Sequence, residues 1–156
     1  MIVVADTSPI NYLILIDRIS ILEILYGRVF LPHAVHDELL HQGAPANVRS
    51  WAQKVPKWVE ILAASKSLNA SGTRLHPGEA EAIELAEQLH ADWLLIDEIA
   101  GRDEATSRGL QTIGTLGILR DAHRTGLLDI HTALDKLIGA GFRVNKQLIA
   151  QLLKSI

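Results

Sequence analysis

The chain has 156 residues, 48% of them hydrophobic and 21% charged, with a net charge of −3 and no cysteine. That length fits one globular domain that buries roughly 70% of its unfolded surface, and the lack of cysteine excludes disulfides and thiolate metal sites and fits a reducing cytoplasm. The mildly acidic balance and an aromatic content of 4% argue against an electrostatic nucleic-acid clamp and a base-stacking platform, so a polyanion would have to meet local basic patches.

Residues 2–5, Ile2-Val3-Val4-Ala5, are apolar and rich in β-branched side chains, which predicts a short buried strand. Asp6-Thr7-Ser8-Pro9 then turns the chain into a helix over 9–17, with Thr7 or Ser8 suited to the cap and Pro9 to the first turn. The N-terminus lacks the basic region of a signal peptide, and the apolar run 12–16 stops at Asp17, too short to span a bilayer. A second helix over 19–26 ends at Gly27. Its Ile21, Leu22, Ile24 and Leu25 suit a core, a dimer face or a partner contact.

Val29-Phe30-Leu31 predicts a strand, and Pro32 opens a helix to residue 41, stopped by Gly43. Pro45 opens another over 45–53. Residues 58–62 alternate weakly, as an edge strand does, and 63–74 have no clear period and predict a loop. Pro77 starts the best-patterned helix, over 77–89. Trp93-Leu94-Leu95-Ile96 predicts a buried strand, 98–108 a helix ended by Gly109, 111–113 a short strand, and 115–124 a helix ended by Gly126. Helices over 132–138 and 145–154 close the chain. This alternation predicts an α/β fold, a three-layer α/β/α arrangement around a short, mostly parallel central sheet.

Four acids are out of place on this pattern. Asp6 and Asp97 each follow a strand, at the edge where open α/β sheets bind ligands. Asp97 also suits the N-cap of the helix over 98–108. Glu79 lies three and four residues before Ala82 and Ile83 on the apolar stripe of its helix, whereas Glu81, Glu84 and Glu87 fall on a solvated face. Glu79 also suits a first-turn acid facing the helix dipole. Glu38 follows Ala34 and Val35 by one turn, while Asp37 shares an exposed face with His33 and His41.

Buried carboxylates left unpaired cost several kcal/mol, and clustering raises their pKa values further. They must protonate, pair with Arg or Lys, or share a divalent cation. An oxygen-only ligand set suits Mg²⁺ or Mn²⁺, which can activate water and stabilise an in-line phosphoryl displacement.

The order of these motifs resembles the PIN-domain family. Asp6-Thr7-Ser8-Pro9, Glu38 after the second strand, Gly78-Glu79-Ala80-Glu81-Ala82-Ile83, Leu95-Ile96-Asp97-Glu98 and Gly114-Thr115-Leu116-Gly117-Ile118-Leu119 carry the resemblance, which runs to Gly141-Phe142-Arg143. It implies one PIN-like domain over 1–156 and a Mg²⁺- or Mn²⁺-dependent ribonuclease. Many small members are toxins of toxin–antitoxin pairs, so a cognate antitoxin is an implied partner beside the RNA. By the same resemblance Asp6, Glu38, Glu79 and Asp97 form the acidic, metal-holding catalytic set, with Thr7 or Ser8 assisting. Two departures stand out: Glu79 occupies a position where many small PIN toxins have Asp, and the run Ile96-Asp97-Glu98 leaves the fourth ligand open among Asp97, Glu98 and Asp103, with Asp97 ranked first by its place at the strand end.

Other residues carry weaker signals. Arg102, one turn after Glu98, suits either an ion pair with it or a phosphate, the ion pair being the favoured reading. Thr115 suits a cap, or a helix start whose N–H groups receive a phosphate. Trp51, Trp58 and Trp93 suit a core or interface. Lys54, Lys57, Lys66 and Arg74 could rim a substrate path, a solvated surface being the favoured reading for each one singly. The expected assembly is a cytoplasmic homodimer whose groove would concentrate Arg and Lys. Two competing functions remain: a non-catalytic PIN-like binding module, and an aspartate-based phosphohydrolase or phosphotransfer domain using Asp6 as nucleophile. The latter usually wants a second Asp where this chain has Ser8.

Overall fold

A computed structural model of the chain describes residues 1–64 and 75–156. Five strands form one parallel sheet: β1 (Val3–Ala5), β2 (Val29–Pro32), β3 (Val59–Leu62), β4 (Trp93–Leu95) and β5 (Thr112–Ile113), in the order β3-β2-β1-β4-β5. Nine helices among the described residues surround them. The first four are α1 (Thr7–Leu15), α2 (Ile21–Tyr26), α3 (His33–Leu40) and α4 (Ala46–Gln53). They are followed by α5 (Pro77–Leu89), α6 (Ile99–Ser107), α7 (Thr115–Arg124), α8 (Ile130–Gly139) and α9 (Lys146–Lys154).

Alternation along the central strands sorts the core into two layers. Val3, Ala5 and Leu95 join a large cluster with residues of α1, α2, α3, α4, α7 and α8. Val4, Leu94 and Ile96 face the other way, against Ala82, Ile83 and Ala86 of α5 and Ala105 of α6. Successive side chains of a strand point to opposite faces, so a strand covered on both sides must be apolar throughout. The β1 triplet Val3-Val4-Ala5, fully buried, meets that demand. The fold is the three-layer α/β/α arrangement expected, with a sheet that is parallel throughout and β3 at one edge.

The strand order reverses at β1. From there the chain moves outward to β2 and β3, then returns to add β4 on the other flank. The carboxyl ends of β1 and β4 therefore border the crevice where doubly wound sheets bind ligands. They are joined there by a hydrogen bond from the Asp6 N–H to the Leu95 carbonyl, 2.8 Å.

Two helix starts differ from expectation. The first helix begins at Thr7, not Pro9, because Asp6 is extended (φ −83°, ψ 173°) and is itself the N-cap residue. Asp6 makes no side-chain capping bond, and the hydroxyls of Thr7 and Ser8 turn to other partners. The eighth helix begins at Ile130 because Asp129 accepts from the Thr132 N–H at 3.0 Å. Ile21 and Leu22 of α2 are core, while Ile24 is exposed. Trp51 and Trp58 pack ring to ring at 6.4 Å beside the larger cluster, and Trp93 packs against it too. No helix among the described residues is long and apolar enough to cross a membrane. Most of the loop expected over 63–74, with Lys66 and Arg74, lies outside the described residues.

Candidate active site

Glu79 is the third residue of α5, and its two carboxylate oxygens have different surroundings. Oε1 accepts from the His76 N–H at 3.1 Å and so satisfies a donor at the helix start. Oε2 is buried and has no hydrogen-bond partner. The first-turn role and the inward role are thus filled by one side chain. Room for Oε2 comes from Gly101 on α6, where a Cβ would stand 3.3 Å from that oxygen and 2.6 Å from Ile96 Cδ1.

Asp6 is buried as well, and sequence parity aims it. It follows Val4 by two residues, so it belongs to the α5 side of the sheet. A Cβ built on Gly78 would stand 3.5 Å from Asp6 Oδ1, 3.4 Å from Glu38 Oε2 and 3.5 Å from Thr7 Oγ1. Oxygens of Asp6 after β1, Glu38 on α3 and Thr7 on α1 therefore converge on one point beside Gly78, which an added methyl group would touch. Glu38 is more exposed than its apolar neighbours on α3 suggest; it reaches the cleft by length and accepts a hydrogen bond from the Thr7 hydroxyl.

These groups line an open cleft of about 300 Å³ together with Ser8, His76 and Glu98. Asn11 and Tyr12 complete the wall. The lining includes four carboxylates and neither Lys nor Arg. Burial pushes the Asp6 carboxyl up to about 7; the Thr7 backbone N–H opposes this, and the charges of Glu79, Glu38 and Asp97 add to it. Burial also raises Glu79, against the His76 N–H and ring, with Glu98 and Glu38 raising it further.

Asp97 faces another way. Leu94 pairs with Val4 and Leu95 with Ala5, so the residue after Ile96 belongs to the α7 side of the sheet, opposite Asp6. Its Oδ1 accepts from the Thr115 N–H at 2.7 Å, and its Oδ2 accepts from the hydroxyls of Ser8 and Thr115, both at 2.7 Å. Asp97 thus caps α7 across the sheet edge, not α6, whose N-cap residue is Glu98. The Thr115 N–H is accordingly taken and is not open to a phosphate. Glu98 is exposed and lines the cleft, whereas Asp103 is exposed on α6 and does not.

Three further expectations change. Arg102 forms no ion pair with Glu98 among the described residues; its Nη1 lies 3.2 Å from where a Gly114 Cβ would stand, beside Asp97 Oδ1. Glu84 is buried, with Oε2 unpartnered, because α5 is covered along that side; it is not part of a solvated face. Glu81 accepts from the Ala34 N–H at the start of α3, and Glu87 pairs with Arg108 at 2.8 Å. Lys54 and Lys57, by contrast, are exposed and do not line the cleft, in keeping with the solvated-surface reading favoured for each. Sequence reasoning missed Asn11, Tyr12 and His76. Asn11 and Tyr12 stand one turn after Thr7 and Ser8 on the same helix face, a spacing that could have found them; His76 had no such signal.

The donor set fits a hard divalent cation. A buried orphan oxygen, a buried aspartate and a nearby glutamate stand with neither Lys nor Arg among the cleft residues. As the side chains stand, no three such groups among the described residues already surround one ion position; Glu38 is turned to Thr7 instead.

A family model described as PIN domain, DUF3368, matches residues 2–156. No curated protein and no solved structure matches the chain. PIN domains are generally nucleases, and they typically use divalent metals. A match over nearly its whole length makes this chain a member of the PIN-domain family.

Proposed function

We propose that the protein is a Mg²⁺- or Mn²⁺-dependent endoribonuclease that hydrolyses phosphodiester bonds of single-stranded RNA, with residues 1–156 acting as one PIN-like unit. The observation that carries this reading is Glu79 Oε2, buried and unpartnered beside a buried Asp6 in a cleft with no Lys or Arg. A carboxylate pair in such a place is stable only when protonated or when it shares a cation.

Asp6, Glu38 and Glu79 would hold the ion, with Glu98, which lines the same cleft, as the fourth carboxylate. Asp97 is the positioning residue: it fixes Ser8 and the start of α7 and adds negative field to the cleft. The bound ion supplies charge neutralisation at the phosphodiester and a more acidic water. The chain's own groups do the rest. Thr7 Oγ1 orients Glu38, Gly78 keeps the meeting point of the oxygens open, and His76 stands at the rim where a proton can be moved to or from solvent.

Cleavage of a labelled single-stranded RNA by the purified protein, with Mn²⁺, with Mg²⁺ and with chelator, tests the reading. Cation-dependent cleavage that falls at least about a hundredfold in Asp6→Asn and in Glu79→Gln is expected. Parental cleavage in both variants contradicts it. The reading extends to a cytoplasmic toxin restrained by a cognate antitoxin; a small adjacent reading frame encoding a DNA-binding protein supports that extension, and an unrelated neighbourhood removes its support.

A further inference from the structure

A second concavity adjoins the carboxylate cleft: a groove of about 460 Å³ between α6, the turn from β5 into α7, and α9. Its walls carry Arg102, Arg120 and Arg143 and one carboxylate, Asp97. That carboxylate already accepts from Ser8 and twice from Thr115. Arg102 and Arg143 are exposed and form no ion pair among the described residues. Arg120 pairs only with its neighbour Asp121 at 3.1 Å, both partly exposed, where such pairs are weak.

A chain of net charge −3 therefore gathers three guanidinium groups on one concave surface next to its acidic cleft. The guanidinium fork suits phosphate oxygens. Between the arginines lies exposed apolar surface from Ile99 (76% exposed) and Leu148 (44%), which suits the faces of bases and riboses. The two concavities meet at one hydrogen bond: Ser8 lines the cleft, Asp97 lines the groove, and 2.7 Å separates their oxygens.

We infer that this groove is the track for the strand flanking the scissile bond: single-stranded RNA whose phosphates meet Arg102, Arg120 and Arg143. The inference rests on the ribonuclease reading and adds where the substrate runs. It also accounts for how an acidic protein holds a polyanion.

The test is fluorescence anisotropy of the full chain with a labelled single-stranded RNA of roughly ten nucleotides in chelator, over a range of salt. Replacing all three arginines by alanine should weaken binding about tenfold at low salt and lower the log–log salt slope by about 2. Replacing them by lysine should keep most of that slope. Arg120→Ala/Arg143→Ala should raise KM for the oligonucleotide and leave cleavage of a dinucleotide, too short to reach the groove, unchanged. A triple alanine variant that melts like the parent and binds RNA with the parent's slope overturns the inference, and Mn²⁺-dependent cleavage by the parent would leave the ribonuclease reading standing. Conversely, arginine-dependent binding without any cleavage by the parent would sink the ribonuclease reading and keep the groove. A groove that prefers a poly-glutamate peptide to RNA also overturns the inference.

Discussion

Ser8 Oγ donates to Asp97 Oδ2 at 2.7 Å across 89 residues of sequence. The bond ties the first turn of α1 to the end of β4, and Thr115 ties the same carboxylate to α7 through its N–H and its hydroxyl. Asp97 is therefore a brace between three elements, while Glu98 beside it lines the cleft. Their substitutions should separate. Asp97→Ala strands three donors and should cost about 2–4 kcal/mol in urea denaturation. Glu98→Gln, at an exposed position, should change stability by less than about 0.5 kcal/mol yet weaken Mn²⁺ binding about tenfold. The reverse pattern would make Asp97 the ligand and Glu98 a bystander.

The Asp6 carboxyl stands at about 7 in the folded protein against an ordinary value of 3.8. The folded state thus keeps a proton that the unfolded chain gives up, so metal-free stability falls as pH rises through that window and levels off above it. A shift of this size amounts to at most about 4 kcal/mol. Urea midpoints measured across that window should show a shallower fall in Asp6→Asn than in the parent. Glu79, also raised, should leave a residual slope of the same sign. Equal slopes in variant and parent contradict the burial of Asp6.

Gly78 bears on metal binding without bearing on the fold. Its Cβ would meet the three oxygens at ordinary contact distances, 3.4–3.5 Å, and the position is helical. Gly78→Ala should therefore keep or raise stability by up to about 1 kcal/mol. The added methyl group stands where the oxygens converge, so Mn²⁺ affinity should fall at least about tenfold. Calorimetry and a thermal melt on the same sample check both halves. A variant that binds Mn²⁺ as the parent does would place the ion elsewhere.

Glu84 should be a burden on the fold. It is buried, and its Oε2 has no partner. Replacement of such a group by an apolar side chain of similar volume removes the desolvation cost, so Glu84→Met should stabilise by about 1–2 kcal/mol. It lies outside the cleft lining, so cation-dependent cleavage should be unchanged. Destabilisation of the same size would mean that Glu84 answers a charge.

Much of this was legible in the residues. The apolar run before Asp6 and the stripe that carries Glu79 place both acids through strand alternation and helix spacing, two local periodicities. The same alternation, carried one residue past Ile96, already separates Asp97 from Glu98, yet the strand-end position ranked Asp97 first. What the structure adds is register: Leu95 stands beside Ala5 and not beside Asp6, a cross-strand fact that neither strand contains, and with it Asp97 bonds to Thr115 while Glu98 lines the cleft. Glu84 looked solvated because its burial depends on which neighbours cover α5. The arginine groove was out of reach for a similar reason. Arg102, Arg120 and Arg143 have no common period, and only the meeting of α6, α7 and the segment before α9 brings them to one surface.

Calorimetric titration of the metal-free protein with Mn²⁺ at neutral pH, for the parent and for Asp6→Asn, measures the central claim that these carboxylates share a divalent cation. The account predicts saturable binding by the parent, accompanied at 100 Kd by about 2.7 kcal/mol of added stability, roughly 5–10 °C in Tm. It predicts loss of that binding in a folded Asp6→Asn. Absence of binding by the parent, or the same affinity in the variant, would contradict it.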